Sequence, residues 1–226
     1  RPGPGRGRRR GGRSTLHVGL SAALAGARAV LFDMDGTLVR SEHVHRRAWQ
    51  GFFDHWAVTI DDDAYDRTVK GRRARDVLAL MPGPWPDVST ALAVLEAQPA
   101  GAIEIVGGAV AAFRALDAAG TPAAIVTSAG SAWAREVLED VLDVRAPVLV
   151  TAEMVSEGKP SPEGYLLACR RLGIAPAHCA AVEDAPSGVR ALVAAGVGTI
   201  IGITTTSDAA ELRAAGAHHT VADLTA

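Results

Sequence analysis

Short apolar runs that stop at polar or acidic residues are the feature that most constrains how this chain can fold. Stretches with helical periodicity separate the later runs. Continuous apolar runs of this length are typical of strands buried on both faces of a parallel sheet, and helices between them provide the crossovers. The alternation therefore predicts an α/β fold, a doubly wound, Rossmann-like parallel sheet. The predicted strands are AVLFD (29–33), PAAIVTS (122–128), PVLVT (147–151), CAAVED (179–184) and GTIIGI (198–203), and the predicted core helices are 107–118, 131–142, 161–172, 186–195 and 207–215.

A long segment separates the first predicted strand from the second. Asp33 and Ser128 are 95 positions apart, whereas a strand–helix–strand unit takes about 30 residues. Residues 43–101 fill the gap with amphipathic helical segments, broken by PGPWP, and show no strong strand signal. We therefore predict an inserted α-helical cap at 43–101, joined by two linkers to an α/β core formed by 29–42 and 102–226.

The positive charge of the chain is concentrated at its beginning. Residues 1–28 hold seven arginines and no acid, and their Gly- and Pro-rich composition predicts a disordered arm because it offers little apolar surface to bury. The remaining 16 Lys and Arg side chains stand against all 25 Asp and Glu side chains, so we expect the folded part not to bind nucleic acid. No apolar run reaches the roughly 18 to 20 residues that span a bilayer, so we expect no membrane association.

The cysteine count points to a reducing compartment. Two cysteines, Cys169 and Cys179, form neither a disulfide framework nor a four-ligand zinc site. We therefore expect a cytoplasmic protein with both thiols free. We also take the chain to be a monomer, although its sequence does not determine the oligomeric state.

The motif DMDGTL, directly after the first predicted strand, carries the strongest chemical signal. Side chains two positions apart in an extended segment point the same way, so Asp33 and Asp35 are expected to converge, and Gly36 permits a sharp turn. Two such carboxylates suit Mg2+, or a division of labour between a nucleophile and an acid/base. The motif alone is also compatible with a solvated turn that holds two acids.

Polar side chains at the other strand ends favour a site over a solvated turn. Ser128 and the backbone N–H of Ala129 lie at a predicted helix start, where the helix dipole favours a phosphate, although a serine N-cap has the same pattern. Lys159 is one of only two lysines in the chain. Glu183 and Asp184 follow another strand and precede a helix, where acids also serve simply as dipole partners. Because ligands bind at the carboxyl ends of parallel strands, the set predicts one site at that edge of the sheet.

These segments, in this order, resemble the haloacid dehalogenase superfamily, specifically its Mg2+-dependent phosphatases and mutases with a small helical cap. The resemblance covers about residues 29–222. It implies that Asp33 is a nucleophile that becomes an aspartyl phosphate, and that Asp35 acts as acid/base and gives a backbone carbonyl to Mg2+. The other implied roles are Ser128 and Ala129 as phosphate anchors, Lys159 as the counter-charge of the phosphate, and Glu183 and Asp184 as metal ligands beside Asp33, with Asp184 the direct one.

The resemblance also implies a small-molecule phosphate ester as the substrate. The segments KGRRARDVL and IIGITTT look most like phosphatases of sugar and glycerol phosphates, whereas His45 stands where β-phosphoglucomutases carry a functional histidine. We therefore predict a phosphatase for small phosphorylated sugars or polyols. A sugar-phosphate mutase is the alternative, and a non-catalytic regulatory binding protein is the alternative of another class. In the cap, we expect His45, Lys70, Arg72 and Arg75 to contact the substrate, although a solvated helix face explains the arginines equally well.

Overall fold

The computed structural model describes residue 24, residues 26–99 and residues 101–225. Its strands are β1 (Ala29–Phe32), β2 (Val39–Arg40), β3 (Glu104–Ile105), β4 (Ala123–Val126), β5 (Val148–Val150), β6 (Cys179–Glu183), β7 (Thr199–Ile203) and β8 (His219–Val221). Six of them form one sheet in the order β5–β4–β1–β6–β7–β8, and every neighbouring pair is parallel. The predicted α/β fold with a parallel sheet is therefore confirmed.

The helices connect the strands much as the periodicity predicted. They are α1 (Glu42–His55), α2 (Asp62–Thr68), α3 (Ala74–Leu80), α4 (Val88–Glu96), α5 (Gly107–Ala118), α6 (Ser131–Arg135), α7 (Glu163–Leu172), α8 (Pro186–Ala195) and α9 (Ala209–Ala215). The helices α5 and α8 have the predicted bounds, and α7 and α9 each begin two residues later than predicted. The helix predicted at 131–142 is α-helical only over α6 and continues as a π-helical turn over Glu136–Val141.

The central strand β1 is apolar throughout because both of its faces are covered. All four of its residues are fully buried. Val30 and Phe32 face one side, where the ring of Phe32 meets that of Phe113 edge-on, with 5.4 Å between the centroids. Leu31 faces the other side, in a cluster that includes Tyr165. Burying a side chain of this size contributes roughly 1.5–3 kcal/mol, so β1 is held rigidly and the residues that follow it start from a fixed point.

The inserted helices have an apolar cluster of their own. The helices α1 to α4 bury Trp49, Phe52 and Phe53 of α1 against side chains of the other three. Asp61 and Asp87 cap two of these helices, since each side chain accepts a hydrogen bond from the backbone N–H three residues later. The helical content agrees with the predicted cap, and its boundaries at 43 and 101 stay a prediction.

The segments predicted as plain linkers on either side of the insertion pair with each other. The strands β2 and β3 form a two-stranded antiparallel ladder, in which Val39 is opposite Ile105 and Arg40 opposite Glu104. Each strand has only two residues, which is too short for an alternating pattern to be recognised in the sequence. The insertion therefore leaves and re-enters the core through adjacent, hydrogen-bonded strands.

The predicted arm at 1–28 lies almost wholly outside the described residues. Of its described part, Leu24 packs on the same apolar cluster as Phe32, and the backbone N–H of Arg28 donates to the carbonyl of His178 at 2.9 Å. Within the described ranges, no helix has the length and apolar character to cross a membrane.

Candidate active site

The carboxyl ends of β1 and β6 bring an ammonium group and two carboxylates together. Asp33 directly follows β1, and Glu183 is the last residue of the neighbouring strand β6. Lys159 lies between them, with its Nζ 2.5 Å from Asp33 Oδ1 and 2.7 Å from Glu183 Oε1. All three side chains are less than one-tenth exposed. The structure thus brings together three of the residues predicted from the sequence: Asp33 and Glu183 because they end strands, and Lys159 because lysine is rare in this chain.

Asp33, Glu183 and Asp184 form the acidic part of this cluster. One carboxylate oxygen from each residue lies within 4.8 Å of the other two. Burial, and to a lesser extent the charge of Glu183, raises the pKa of Asp33 to about 7 despite the opposing effect of Lys159. Burial, followed by the charges of Glu183 and Asp33, raises the pKa of Asp184 well above its ordinary value. One lysine does not balance three buried carboxylates, so the cluster has a deficit of positive charge.

A divalent metal ion fits this donor set. All three groups offer oxygen, the ligand type that Mg2+ prefers, and their spacing allows one ion to contact all of them. Asp35 does not contribute its side chain to the cluster. The metal contact predicted for Asp35 through its backbone carbonyl stays a prediction.

Two threonines and a glycine hold Asp184 in place. Thr37 Oγ1 donates to Asp184 Oδ1 at 3.2 Å, and Thr206 Oγ1 donates to Asp184 Oδ2. Gly36 has a φ of +92° and passes so close that a Cβ at this position would collide with the Asp184 carboxylate. Gly36 is therefore required both by its backbone conformation and by the close approach of the loop after β1 to Asp184.

Asp35 lies in a different environment from Asp33. Its Oδ1 accepts hydrogen bonds from Ser41 Oγ at 2.7 Å, Trp133 Nε1 at 2.9 Å and His45 Nε2 at 3.0 Å. Burial raises the pKa of Asp35, but the charge and hydrogen bond of His45, followed by the bonds from Ser41 and Trp133, outweigh it and lower that pKa to about 2. In return, the Asp35 carboxylate overcomes the effect of burial on His45 and raises its pKa. In this arrangement each partner favours the charged form of the other.

The segment after β4 lines the same cavity. Thr127 Oγ1 donates to Asp35 Oδ2 at 3.2 Å and accepts from the backbone N–H of Ala129 at 3.0 Å. Ser128 lies between them and is partly buried at the cavity wall. The predicted anchors Ser128 and Ala129 therefore lie close to Asp33 and Asp35, and it is the neighbouring Thr127 that bonds to Asp35.

A cavity of about 660 Å³ separates the strand ends from the inserted helices. His45, Lys70, Arg72 and Arg75, the residues predicted to contact substrate, all line it. Lys70 Nζ donates to the carbonyl of Thr206 at 3.1 Å, so this lysine also joins the insertion to the core. Both arginines are exposed. Their guanidinium groups are accessible to a ligand that enters the cavity.

Several residues that make contacts at the site were not predicted from the sequence, Thr37 and Thr127 among them. Trp133 and Ser41 donate to Asp35, Thr206 donates to Asp184, and Arg73 of the insertion contacts the loop after β5. Thr206 lies beyond the end of β7, so extending the strand-end rule to that strand identifies it. For Trp133 and Arg73 no signal exists in the sequence. The contact of Trp133 depends on how the core helix α6 packs beside the loop after β1, and that of Arg73 depends on how the insertion sits against the core.

Comparison with known proteins identifies the chain's relatives. Residues 27–196 match the family described as haloacid dehalogenase-like hydrolase. The chain is 36% identical to validoxylamine A 7'-phosphate phosphatase of Streptomyces hygroscopicus subsp. limoneus, over 82% of this chain and 89% of the relative. It is 37% identical to hexitol phosphatase A of Escherichia coli K12, over 74% and 78% of the two chains.

A mutase and a solved structure are also similar to the chain. A β-phosphoglucomutase of Mycobacterium bovis is 29% identical over 87% of this chain and 90% of the relative. The crystal structure of CbbY from Rhodobacter sphaeroides in complex with phosphate superposes with a TM-score of 0.71 and 25% identity, and covers 88% of this chain and 95% of that one. The resemblance stated from the sequence motifs is confirmed.

Proposed function

The chain belongs to the haloacid dehalogenase-like hydrolases, and from that starting point we propose that it is a Mg2+-dependent phosphatase that hydrolyses small phosphorylated sugars or polyols. Its relatives named as phosphatases support phosphoric monoester hydrolysis. The observation that carries the proposal is the position of Asp33, a buried carboxylate in contact with Lys159 beside Glu183 and Asp184. Such a group has a cation for the phosphate on one side and a metal-binding set on the other.

In the proposed reaction, a carboxylate oxygen of Asp33 attacks phosphorus and the bond from phosphorus to the sugar oxygen breaks. Lys159 neutralises charge on the phosphoryl oxygens, and Ser128 with the backbone N–H groups after β4 positions them. Asp35 gives a proton to the departing alkoxide. Water then attacks the aspartyl phosphate, Asp35 takes up the proton of that water, and inorganic phosphate leaves.

Asp33, Glu183 and Asp184 would hold the metal ion, together with the backbone carbonyl of Asp35. Mg2+ bound there would neutralise the phosphate and lower the pKa of Asp33. The requirement for a second positive charge follows from the charge deficit of the cluster, in which, among the residues that the structure describes, Lys159 alone opposes three carboxylates.

The cavity supports a sugar or polyol as the remainder of the substrate. Its wall beyond the phosphate end combines aromatic and cationic side chains with acids such as Glu136, which suits a compact molecule with many hydroxyl groups. The helical insertion closes over this space and would exclude bulk water during the reaction. We also propose that the chain acts as a monomer. We further propose that it works in the cytoplasm, which the two free thiols of Cys169 and Cys179 support.

The test is a phosphate-release screen with purified protein. Hexitol phosphates, hexose 6-phosphates and glycerol phosphates are incubated with Mg2+ or with EDTA, and Asp33→Asn serves as the matched control for contaminating phosphatases. We expect release from at least one of these esters with Mg2+ only, and none with the variant. Release that persists in EDTA, or that is the same in the variant, contradicts the proposal.

The contact between His45 and Asp35 favours one second candidate, a sugar-phosphate mutase. A histidine of the insertion that holds the acid/base at 3.0 Å could keep Asp35 from activating water, which a mutase requires. Incubation with β-glucose 1-phosphate and a trace of glucose 1,6-bisphosphate separates the two. A phosphatase releases free phosphate, whereas a mutase forms glucose 6-phosphate with negligible free phosphate.

A further inference from the structure

Arg73 is the most completely hydrogen-bonded side chain that joins the inserted helices to the core. It precedes α3 and is 7% exposed. Its Nε and one terminal nitrogen bind both oxygens of Asp76, at 3.0 and 2.5 Å, in a bidentate pair. The same guanidinium donates across to the core, to the carbonyls of Ala152 at 3.2 Å, Val155 at 2.8 Å and Ser156 at 2.8 Å. All three nitrogens of the guanidinium therefore have partners.

The loop that accepts these bonds leads directly to Lys159. It begins after β5, and its three bonded carbonyls lie within the seven residues that precede the lysine. Gly158 touches the arginine pair itself: a Cβ added there would lie 2.6 Å from Asp76 Oδ2 and 3.2 Å from Arg73 Cβ. The last residue before Lys159 is thus packed against the insertion, and a larger residue would push the loop and the Arg73–Asp76 pair apart.

Arginine is suited to this position for a geometric reason. Its planar fork can bind a carboxylate bidentately and donate to carbonyls from its other N–H groups, whereas a lysine presents one compact ammonium group. Asp76 compensates the buried charge and fixes the plane of the guanidinium. The pair is therefore a rigid connector, and its core end is the loop that carries Lys159.

We propose that Arg73 is a positioning residue, which uses the closed position of the inserted helices to set the place of Lys159 beside Asp33. The proposal rests on the proposed phosphatase function, because that function assigns the role of Lys159. Arg73 touches no reacting atom in it. Closure of the inserted helices over the cavity and alignment of Lys159 with the phosphate then occur together, so the site is complete only when the cavity is closed.

The first experiment measures the loop without using activity. Amide hydrogen exchange is compared for peptides covering 152–159 in the wild type, Arg73→Lys and Asp76→Asn. Arg46→Lys is the matched control, because Arg46 also binds two carboxylates, Asp62 and Asp66, but both lie within the insertion. We expect faster exchange in 152–159 in the first two variants and unchanged exchange in the control. Equal exchange in all four proteins overturns the connection, whether or not the chain proves to be a phosphatase.

The second experiment tests whether the connection acts through Lys159. We expect Arg73→Lys to lower kcat by about tenfold to a hundredfold, the size that a misplacement of about 1 Å produces, with a smaller change in KM. In the Lys159→Ala background the same substitution should change kcat by less than about twofold, because interacting residues are not additive. An unchanged kcat, or an equal loss in both backgrounds, overturns the positioning role. Absence of phosphate release in the wild type refutes the proposed function instead, and the exchange result then stands alone.

Discussion

Replacing Asp33 with asparagine is expected to stabilise the metal-free protein while it abolishes turnover. The buried carboxylate shares its surroundings with Glu183 and Asp184, and within the described part of the chain Lys159 is the one cation that opposes them. Asparagine keeps the shape, and its amide oxygen still accepts from Lys159, but it carries no charge and does not attack phosphorus. Asp33, which the proposed reaction needs, would thus lower the stability of the metal-free protein.

The size of the stabilisation follows from the pKa of Asp33, which burial and Glu183 raise from 3.8 to about 7. An acid whose pKa is raised by folding destabilises the folded state progressively as pH rises from about 4 to about 7, and the full cost is present above that range. At about 1.4 kcal/mol per pKa unit the cost is about 4 kcal/mol at pH 8. At pH 5 the folded acid is largely protonated and less than half of this cost remains.

The assay is a thermal melt of both proteins in EDTA at pH 5 and at pH 8. For a chain of this size each kcal/mol shifts Tm by roughly 2–4 °C, so the variant should melt roughly 8–16 °C higher than the wild type at pH 8. The gap should be less than half as large at pH 5. Asp117→Asn, at an exposed position, is the control and should change Tm little at either pH. Saturating Mg2+ should narrow the gap at pH 8 because it stabilises only the protein that keeps all three carboxylates.

A variant that melts at or below the wild-type temperature at pH 8 without metal refutes this reasoning. That result would mean that Lys159 already compensates the cluster and that Asp33 is not strained by its charge. A gap of equal size at both pH values would also contradict it, since the predicted cost arises from ionisation and not from the shape of the side chain.

Three further predictions concern the metal and the glycine beside it. Asp184→Ala should raise the half-saturating Mg2+ concentration by more than about tenfold, whereas Lys159→Ala should mainly lower kcat; a metal titration of both variants decides. Gly36→Ala should lower the free energy of unfolding by well over the roughly 1–2 kcal/mol that a left-handed residue costs, because its Cβ meets Asp184. Gly120→Ala, at a φ of +69° with no atom nearby, should lower it by no more than that amount. Urea unfolding of both variants measures the difference. Mg2+ binding at pH 6 should release protons because it ionises Asp33. Calorimetry in two buffers of different ionisation enthalpy measures the number of protons released. A binding event without proton release contradicts the assignment of Asp33 as a ligand.

The fold was predictable because its signals are local and repeated. The run AVLFD indicates a buried strand without knowledge of its neighbours, and its four strand residues are fully buried in the structure. The ladder between β2 and β3 was missed because two residues carry no periodicity. The π-helical turn that continues α6 was also missed, since its hydrophobic spacing resembles that of an α-helix over so short a distance.

The core of the candidate site was predictable for the same reason. The strand ends fix where Asp33 and Glu183 point, so a general rule about parallel sheets is enough to place the two carboxylates together. The contacts of Trp133 and Arg73 were not predictable, because the first depends on the orientation of α6 relative to the loop after β1 and the second on the orientation of the insertion relative to the loop after β5. Such an orientation is determined by the sum of many weak contacts and leaves no pattern at a fixed spacing.

The two carboxylates of DMDGTL show why spacing alone does not assign chemistry. β1 ends at Phe32, so the alternation of a strand does not extend to Asp35. Both side chains reach one cavity, but the surroundings of Asp33 raise its pKa to about 7 and those of Asp35 lower its pKa to about 2. The proposed reaction requires the opposite order, an ionised Asp33 and an Asp35 that can carry a proton. In the proposed reaction, a metal ion bound beside Asp33 would favour its ionised form, and exchange of the His45 bond for a substrate oxygen would raise the pKa of Asp35. The proposed reaction would therefore depend on both ligands, since neither the metal nor the substrate alone would reverse the order.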